Sequence, residues 1–383
     1  LADIRAAEPV APLRDDAALR HMLAGITDYI VEQIHTGEDP LDLPTDYRRF
    51  TTNRLGAAYG ASGIALFLQR VGRPLPERFL KAFIREASRI DNLSYAPGLY
   101  IGSSGVAWTM LELGRVKEAE ALLETAARSP LLHENADLFY GSAGFGLTQL
   151  FFFDRLRDEK HLQGATRTFQ RLKTSIQTHE KGLFIENNGD VYHSLAHGAS
   201  GVAWFALKLY QATGVQEHLE YALRLMDFDL ASAESQDGRP RFHRSRREPV
   251  FYPYWHIGSA GIGCVALRFH EVLRDARYAR EARSIAETLV GNYSVFPTNF
   301  AGMVGLGGFF EDLHRTTGVD AWGQEARRYV DRVMLFSLER SASLVFPGED
   351  LLRVSTDYGT GSAGTGLLIH RILSGGGTPY LDF

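Results

Sequence analysis

Three side chains that can move protons near neutral pH stand just ahead of paired glycines. Asp137 lies four residues before Gly141, His197 immediately before Gly198, and His256 two before Gly258. Imidazole is the side chain that changes charge closest to physiological pH, and a carboxylate on one ring nitrogen fixes its tautomer. A carboxylate and two imidazoles therefore suggest general acid–base chemistry. His193 is four residues before His197, a spacing that on a helix puts both rings on one face. With His256 it would make a three-histidine metal site. The segment runs directly into a glycine loop, however, which argues against helical geometry at 197, and no metal is assigned. Cys264, the single cysteine, falls in an apolar stripe three residues past Gly261 and reads as a packed thiol, not a nucleophile. Tyr140, Tyr252, Tyr254, Trp255, Asp357 and Tyr358 stand near the same glycines and are candidates to line a binding cavity.

What positions these residues is a stretch that returns seven times: Gly60-Ala-Ser-Gly63, Gly102-Ser-Ser-Gly105, Gly141-Ser-Ala-Gly144, Gly198-Ala-Ser-Gly201, Gly258-Ser-Ala-Gly261, Gly302-Met-Val-Gly305 and Gly361-Ser-Ala-Gly364. An apolar stripe in common phase follows each copy, as in Ile64, Phe67, Leu68, Val71 and again Leu306, Phe309, Phe310, Leu313. That is the spacing of an amphipathic helix. Glycine suits a sharp entry into a buried helix because it accepts positive φ and tolerates a neighbouring backbone at close range. Seven copies in register mark a repeat architecture.

A wetter helix is predicted after each of the first six copies, over 77–89, 116–128, 162–177, 217–226, 278–290 and 321–336. A further helix is predicted over 17–34 and a loop over 37–44. Alternating inner and outer helices can stay open as a solenoid or close into an α/α toroid. The last repeat is as apolar as the first, with no polar cap, which favours closure. The expected fold is all-α, a barrel of seven inner and seven outer helices over 19–383, with 1–18 as a linker from a preceding domain. The run 230–253 carries Arg239, Arg241, His243, Arg244, Arg246 and Arg247. It reads as a solvated loop or as a docking surface for an acidic peptide segment or a sister domain.

The 383-residue chain has a formal charge of −5, which argues against a nucleic-acid partner. No stretch approaches the ~18–20 apolar residues of a membrane span. A lone cysteine suits a reducing compartment, so a cytoplasmic location is expected.

Asp137-x-x-x-Gly141, Ala196-His197-Gly198 and Trp255-His256-x-Gly258, together with the seven glycine-led helices, resemble the lanthipeptide cyclase family over residues 20–375. The resemblance implies an α/α toroid that joins peptide cysteine thiols to dehydroalanine or dehydrobutyrine. It also implies zinc, held by cysteine in Trp-Cys-x-Gly and by adjacent cysteine and histidine in Cys-His-Gly. Here those positions are His256, Phe300 and Ala301, and Tyr252 and Ile257 replace a family arginine and tyrosine. Asp137 and His197 match the family's acid–base pair. Cyclase domains without zinc belong to class III synthetases, which carry lyase and kinase domains in the same chain. The chain is accordingly expected to need no cofactor and to act on a dehydrated precursor peptide, with His197 as proton donor, Asp137 as its orienter and His256 as base or thiol partner. Lanthionine and labionin products are both open. The alternatives are a non-catalytic peptide-binding scaffold in the same synthetase and, more remotely, a glycosidase using Asp137 and Asp357 or a terpene cyclase.

Overall fold

The computed structural model describes residues 13–236, 238–340 and 343–383. Among the described residues fourteen α-helices alternate between two layers. The inner layer is α2 (Ala61–Arg70), α4 (Ser103–Glu112), α6 (Ser142–Leu156), α8 (Ala199–Thr213), α10 (Ser259–Leu273), α12 (Met303–Thr317) and α14 (Ser362–Ser374). The outer layer is α1 (Asp16–Thr36), α3 (Glu77–Ala87), α5 (Val116–Ala127), α7 (Glu159–Leu172), α9 (Gln216–Ala231), α11 (Ala276–Leu289) and α13 (Asp320–Val333). Each inner helix packs on the next, and α14 packs on α2, so the ring is closed. Helix α1 serves as the outer partner of the last inner helix, α14. The fold is the expected α/α toroid. The expected linker falls on residues 1–12, outside the described residues, and on 13–18, of which 16–18 already belong to α1.

The glycine pairs are explained by the third repeat. The N–H groups that open α6 would lack partners within the helix. Ser142, Ala143 and Gly144 instead donate to the carbonyls of Asn135, Ala136 and Asp137 at 2.9, 3.3 and 3.3 Å. This winds the preceding loop so tightly on the helix that a Cβ at Gly141 would sit 1.9 Å from the Asn135 carbonyl, and one at Gly144 2.1 Å from that of Leu138. Close approach is thus the reason for these glycines. Positive φ is needed at Gly258 (φ 106°) alone among the first glycines of the seven pairs.

A belt of backbone hydrogen bonds stitches the seven loops together. Ala58 N–H donates to Tyr100, Leu99 to Leu138, Leu138 to Ala196, Ala196 to His256, His256 to Phe300, Phe300 to Gly359, and Gly359 back to Ala58. Every neighbouring pair of loops is joined, which fixes the side chains on either side of the belt. Below it the barrel is solid. Tyr100 stacks on Phe139 at 4.5 Å, Trp108 on Phe151 at 3.9 Å, and Tyr380 reaches both Tyr100 and Trp108. The C-terminal segment that carries Tyr380 is held by a bidentate Arg268–Asp382 pair, both contacts at 2.7 Å.

Short strands decorate the loops. β1 (Ile176–His179) pairs antiparallel with β2 (Gly182–Ile185), β3 (Glu234–Gln236) with β4 (Arg239–Arg241), and β5 (Leu338–Arg340) with β6 (Ser343–Pro347), which also pairs with β7 (Val354–Ser355). The helix expected over 162–177 therefore ends at Leu172, and its last residues enter a hairpin. β-branched Ile176 and Thr178 at alternate positions suit a strand.

Candidate active site

Above the belt, at the glycine-loop end of the barrel, lies a cavity of about 360 Å³. Offsets from the first glycine of each pair decide what reaches it. Residues one place before that glycine line it in six repeats: Tyr59, Ile101, Tyr140, His197, Ile257 and Ala301. Residues two places before do so in three: Phe139, His256 and Phe300. Residues three places before point down into the barrel. Trp255 is buried and stacks on Phe300 at 5.8 Å, and Tyr358 is buried against Tyr100.

His197 is the best-defined polar group in the cavity. Its Nδ1 lies 2.7 Å from Asp137 Oδ2. Asp137 is fully buried, and its carboxylate also accepts from Asn187 Nδ2 at 2.7 Å and from the N–H groups of Tyr140 and Gly141 at 2.7 and 3.1 Å. Each oxygen accepts two hydrogen bonds, the pattern of a carboxylate rather than a carboxylic acid. A proton on Nδ1 leaves the lone pair on Nε2, free for a reacting group. Asp137 thus caps the loop with one oxygen and orients the imidazole with the other.

His256 lies beside His197, ring centroids 5.8 Å apart, and is sandwiched with Phe139 and Phe300. Burial, reinforced by the neighbouring His197 ring, pushes its pKa down to about 3, and its Nδ1 is buried without a hydrogen-bond partner among the described residues. So weak a base is poorly matched to a thiol near 8.5, and a neutral hydrogen-bonding role suits it better. Burial raises the Tyr140 and Tyr252 phenols, which leaves them as donors.

Of the other sequence candidates, Tyr140 and Tyr252 line the cavity. Tyr254 turns aside to hydrogen-bond Ser294 at 3.1 Å, and His193 faces Asp229 at 3.2 Å. Asp357 is fully buried and engaged by Thr360 N–H at 2.7 Å and Asp46 N–H at 2.9 Å. Neither Asp137 nor Asp357 lines the cavity, so the carboxylate pair of a glycosidase is not presented. Three charged residues that line it were not singled out from sequence for this role: Arg48, Glu349 and Arg244. Arg48 Nη1 lies 3.1 Å from Asp46 and 3.3 Å from Glu349. In ring order the loops that carry this pair, the first and seventh, face the fourth, which carries His197. Arg244 belongs to the basic run. Its guanidinium lies 5.6 Å over the Tyr252 ring and pairs with Glu248.

Residues 51–380 match the family model described as lanthionine synthetase C-like protein. The chain belongs to the lanthionine synthetase C-like family. The Probable SapB synthase of Streptomyces coelicolor is 27% identical over 385 residues, covering 98% of this chain and 40% of that relative. The chain thus spans well under half the length of the curated relative it matches. Among solved structures, nisin cyclase superimposes with a TM-score of 0.64 at 14% identity, over 93% of this chain and 94% of that one. A GH76A α-1,6-mannanase of Salegentibacter sp. HEL1_6 gives 0.51 at 13% identity, over 92% and 99%. These two likenesses speak to fold alone. The zinc implied by the family does not fit the residues present. Positions 256, 300 and 301 offer one imidazole, a phenyl ring and a methyl group, where catalytic zinc wants three protein ligands. The one ligand-like cluster among the described residues, Glu120, Asp158 and His161, lies outside the cavity. Lys160 already engages both of its carboxylates, at 2.8 and 3.2 Å. No helix among the described residues is long and apolar enough to cross a membrane.

Proposed function

We propose that this domain closes thioether rings in a dehydrated precursor peptide, adding cysteine thiols to dehydroalanine or dehydrobutyrine without zinc. In this reading it is the cyclase domain of a class III synthetase, and kinase and lyase domains of the same chain supply the dehydrated peptide in the cytoplasm. The observation that carries the reading is the 2.7 Å His197–Asp137 contact at the wall of a cavity that holds two guanidinium groups and, among the described residues, no cluster of three metal-ligating side chains.

The chemistry balances within one imidazole. A free thiol is only a few per cent ionised at pH 7. His197 Nε2 takes the S–H proton, and sulfur attacks Cβ of the unsaturated residue. The C–S bond forms as the Cα=Cβ π pair moves toward the carbonyl oxygen. The imidazolium then returns the proton to Cα, so no proton is gained or lost overall. Asp137 stabilises the transient imidazolium, and Arg48 and Arg244 place positive charge where the enolate oxygen develops. His256, held neutral, hydrogen-bonds the thiol or the amide. If the enolate attacks a second dehydroalanine before it is protonated, a carbon–carbon bond forms and the product is a labionin.

The test is ring closure on a dehydrated peptide, followed by loss of free thiols and by mass spectrometry, with chelator-treated protein. The metal-free protein should accelerate closure, and His197→Ala should slow it about 10²–10⁴-fold with the fold intact. A rate unchanged by His197→Ala would favour a scaffold that only holds the peptide. A strict zinc requirement would overturn the reading of Phe300 and Ala301.

A further inference from the structure

A second cavity, about 200 Å³, adjoins the first and shares Tyr252 as a wall. Its other walls include Arg241, Phe251, Pro253 and Leu289. It is smaller than the roughly 300 Å³ at which drug-sized ligand sites begin, which suits one large side chain better than a cofactor. Around it the apolar side chains of Val250, Phe251, Val290, Tyr293 and Val295 are exposed. A cluster of this kind beside a cavity marks a binding surface.

The basic run supplies the opposite edge. Its backbone is fixed by the β3–β4 pairing and by bridges from His243 to Phe251 and from Tyr192 to Ser245. Arg239 and Arg241 are exposed on β4. Among the described residues neither has a carboxylate within 4 Å, whereas Arg244 is paired with Glu248. Arg241 lies 5.8 Å over the Phe251 ring, which holds a cation at the edge of the apolar cavity. Glu234, the register partner of Arg241 on β3, faces His243 at 3.7 Å, and Arg239 and Arg241 leave an excess of positive charge that, beside an apolar slot, selects a partner with the opposite charge next to an apolar side chain.

We propose that this groove is an exosite for an acidic peptide segment bearing a large apolar side chain, part of the same peptide whose cysteine enters the main cavity. The inference rests on the peptide reading of that cavity, and Tyr252, common to both, is what makes the path continuous. The carboxylates of the segment lie along Arg239 and Arg241, and its apolar side chain fills the slot against Phe251 and Leu289. Holding the peptide here raises the local concentration of its cysteine at His197.

The probe is a fluorescein-labelled peptide with the core Glu-Glu-Leu-Phe-Glu, compared by anisotropy with a partner in which each Glu is Lys. Neither contains cysteine or a dehydro residue, so binding is read independently of ring closure. The acidic peptide should bind the 383-residue protein roughly tenfold more tightly, and the preference should shrink as salt is raised. The double substitution Arg239→Glu/Arg241→Glu should reverse the preference, a gain that misfolding cannot produce. Val295→Asp should weaken the acidic peptide severalfold. Equal affinity for the two peptides, absence of binding, or a preference unmoved by the charge swap would overturn the proposal.

Discussion

Two loops of the ring carry an aspartate at the same offset and use it differently. Asp137 and Asp357 each lie four residues before the first glycine of their pair and are fully buried. In each, Oδ1 accepts from the N–H three residues on, Tyr140 or Thr360, at 2.7 Å. The difference is the second oxygen. Asp137 Oδ2 meets the His197 imidazole brought by the next loop. Asp357 Oδ2 meets the Asp46 N–H brought by the connection from α1 to α2, with Ser355 Oγ as a further partner. The repeat supplies a buried, capped carboxylate. The neighbouring loop decides whether it meets an imidazole at the cavity wall or ties the ring shut.

Asparagine at each position breaks that comparison most sharply. An Asn keeps an oxygen for the loop cap and replaces the second oxygen with an N–H donor. At 137 the donor faces His197 Nδ1, and the imidazole must adopt the other tautomer, which puts a proton on Nε2. Asp137→Asn should therefore cut ring closure about 10²–10⁴-fold in thiol-loss assays, with a smaller effect on stability. At 357 the donor faces the buried Asp46 N–H. Asp357→Asn should lower unfolding free energy by about 1–3 kcal/mol in denaturant titrations, with turnover per folded molecule near that of the parent. If Asp357→Asn proved as damaging to turnover as Asp137→Asn, the two loops would not differ as described.

A smaller effect sharpens the same contrast from across the cavity. Arg48 is held by Asp46 on the loop that Asp357 anchors, and its guanidinium faces the cavity beside Glu349. Burial raises the Glu349 carboxyl, and Arg48 opposes that shift. Arg48→Met should slow ring closure by about 10–100-fold through loss of enolate stabilisation, measured as kcat/KM on one dehydrated peptide. Were the effect confined to KM, Arg48 would bind peptide without stabilising the enolate.

The ring itself was legible because glycine pairs and apolar stripes repeat with one phase, and Asp137 and His197 were legible because their offsets are set by that frame. Arg48, Glu349 and Arg244 were not marked for the cavity. They come from irregular connections whose reach into it is set by tertiary contacts such as Arg48–Glu349 and by the His243–Phe251 bridge. Trp255, Tyr358 and Asp357 show a different limit. They stand near the right glycines, but three and four places before the pair their side chains are buried in the core, whereas positions one and two places before reach the cavity. The unsuspected β1–β2 hairpin follows the same logic, because a helix-like run was ended by pairing with a segment the local pattern does not reveal.

The remaining effect concerns His256, which lines the cavity and is linked through the belt to Ala196 and Phe300. Its pKa is pushed down to about 3 when folded, against about 6.5 in an unfolded chain. Between those values the unfolded chain binds one more proton than the folded one, so stability rises with pH across this window and is lost on acidification. One such group contributes a slope of at most about 1.4 kcal/mol per pH unit. His256→Asn should remove that share, giving a shallower fall in unfolding free energy between pH 6 and pH 4 than the parent shows in denaturant titrations. Above pH 6.5 the two stability curves should run parallel, because both proteins are then neutral at position 256 in either state. A parent and variant with identical slopes below pH 6 would mean that His256 is as free to protonate as a surface imidazole, and the base role set aside for it would reopen.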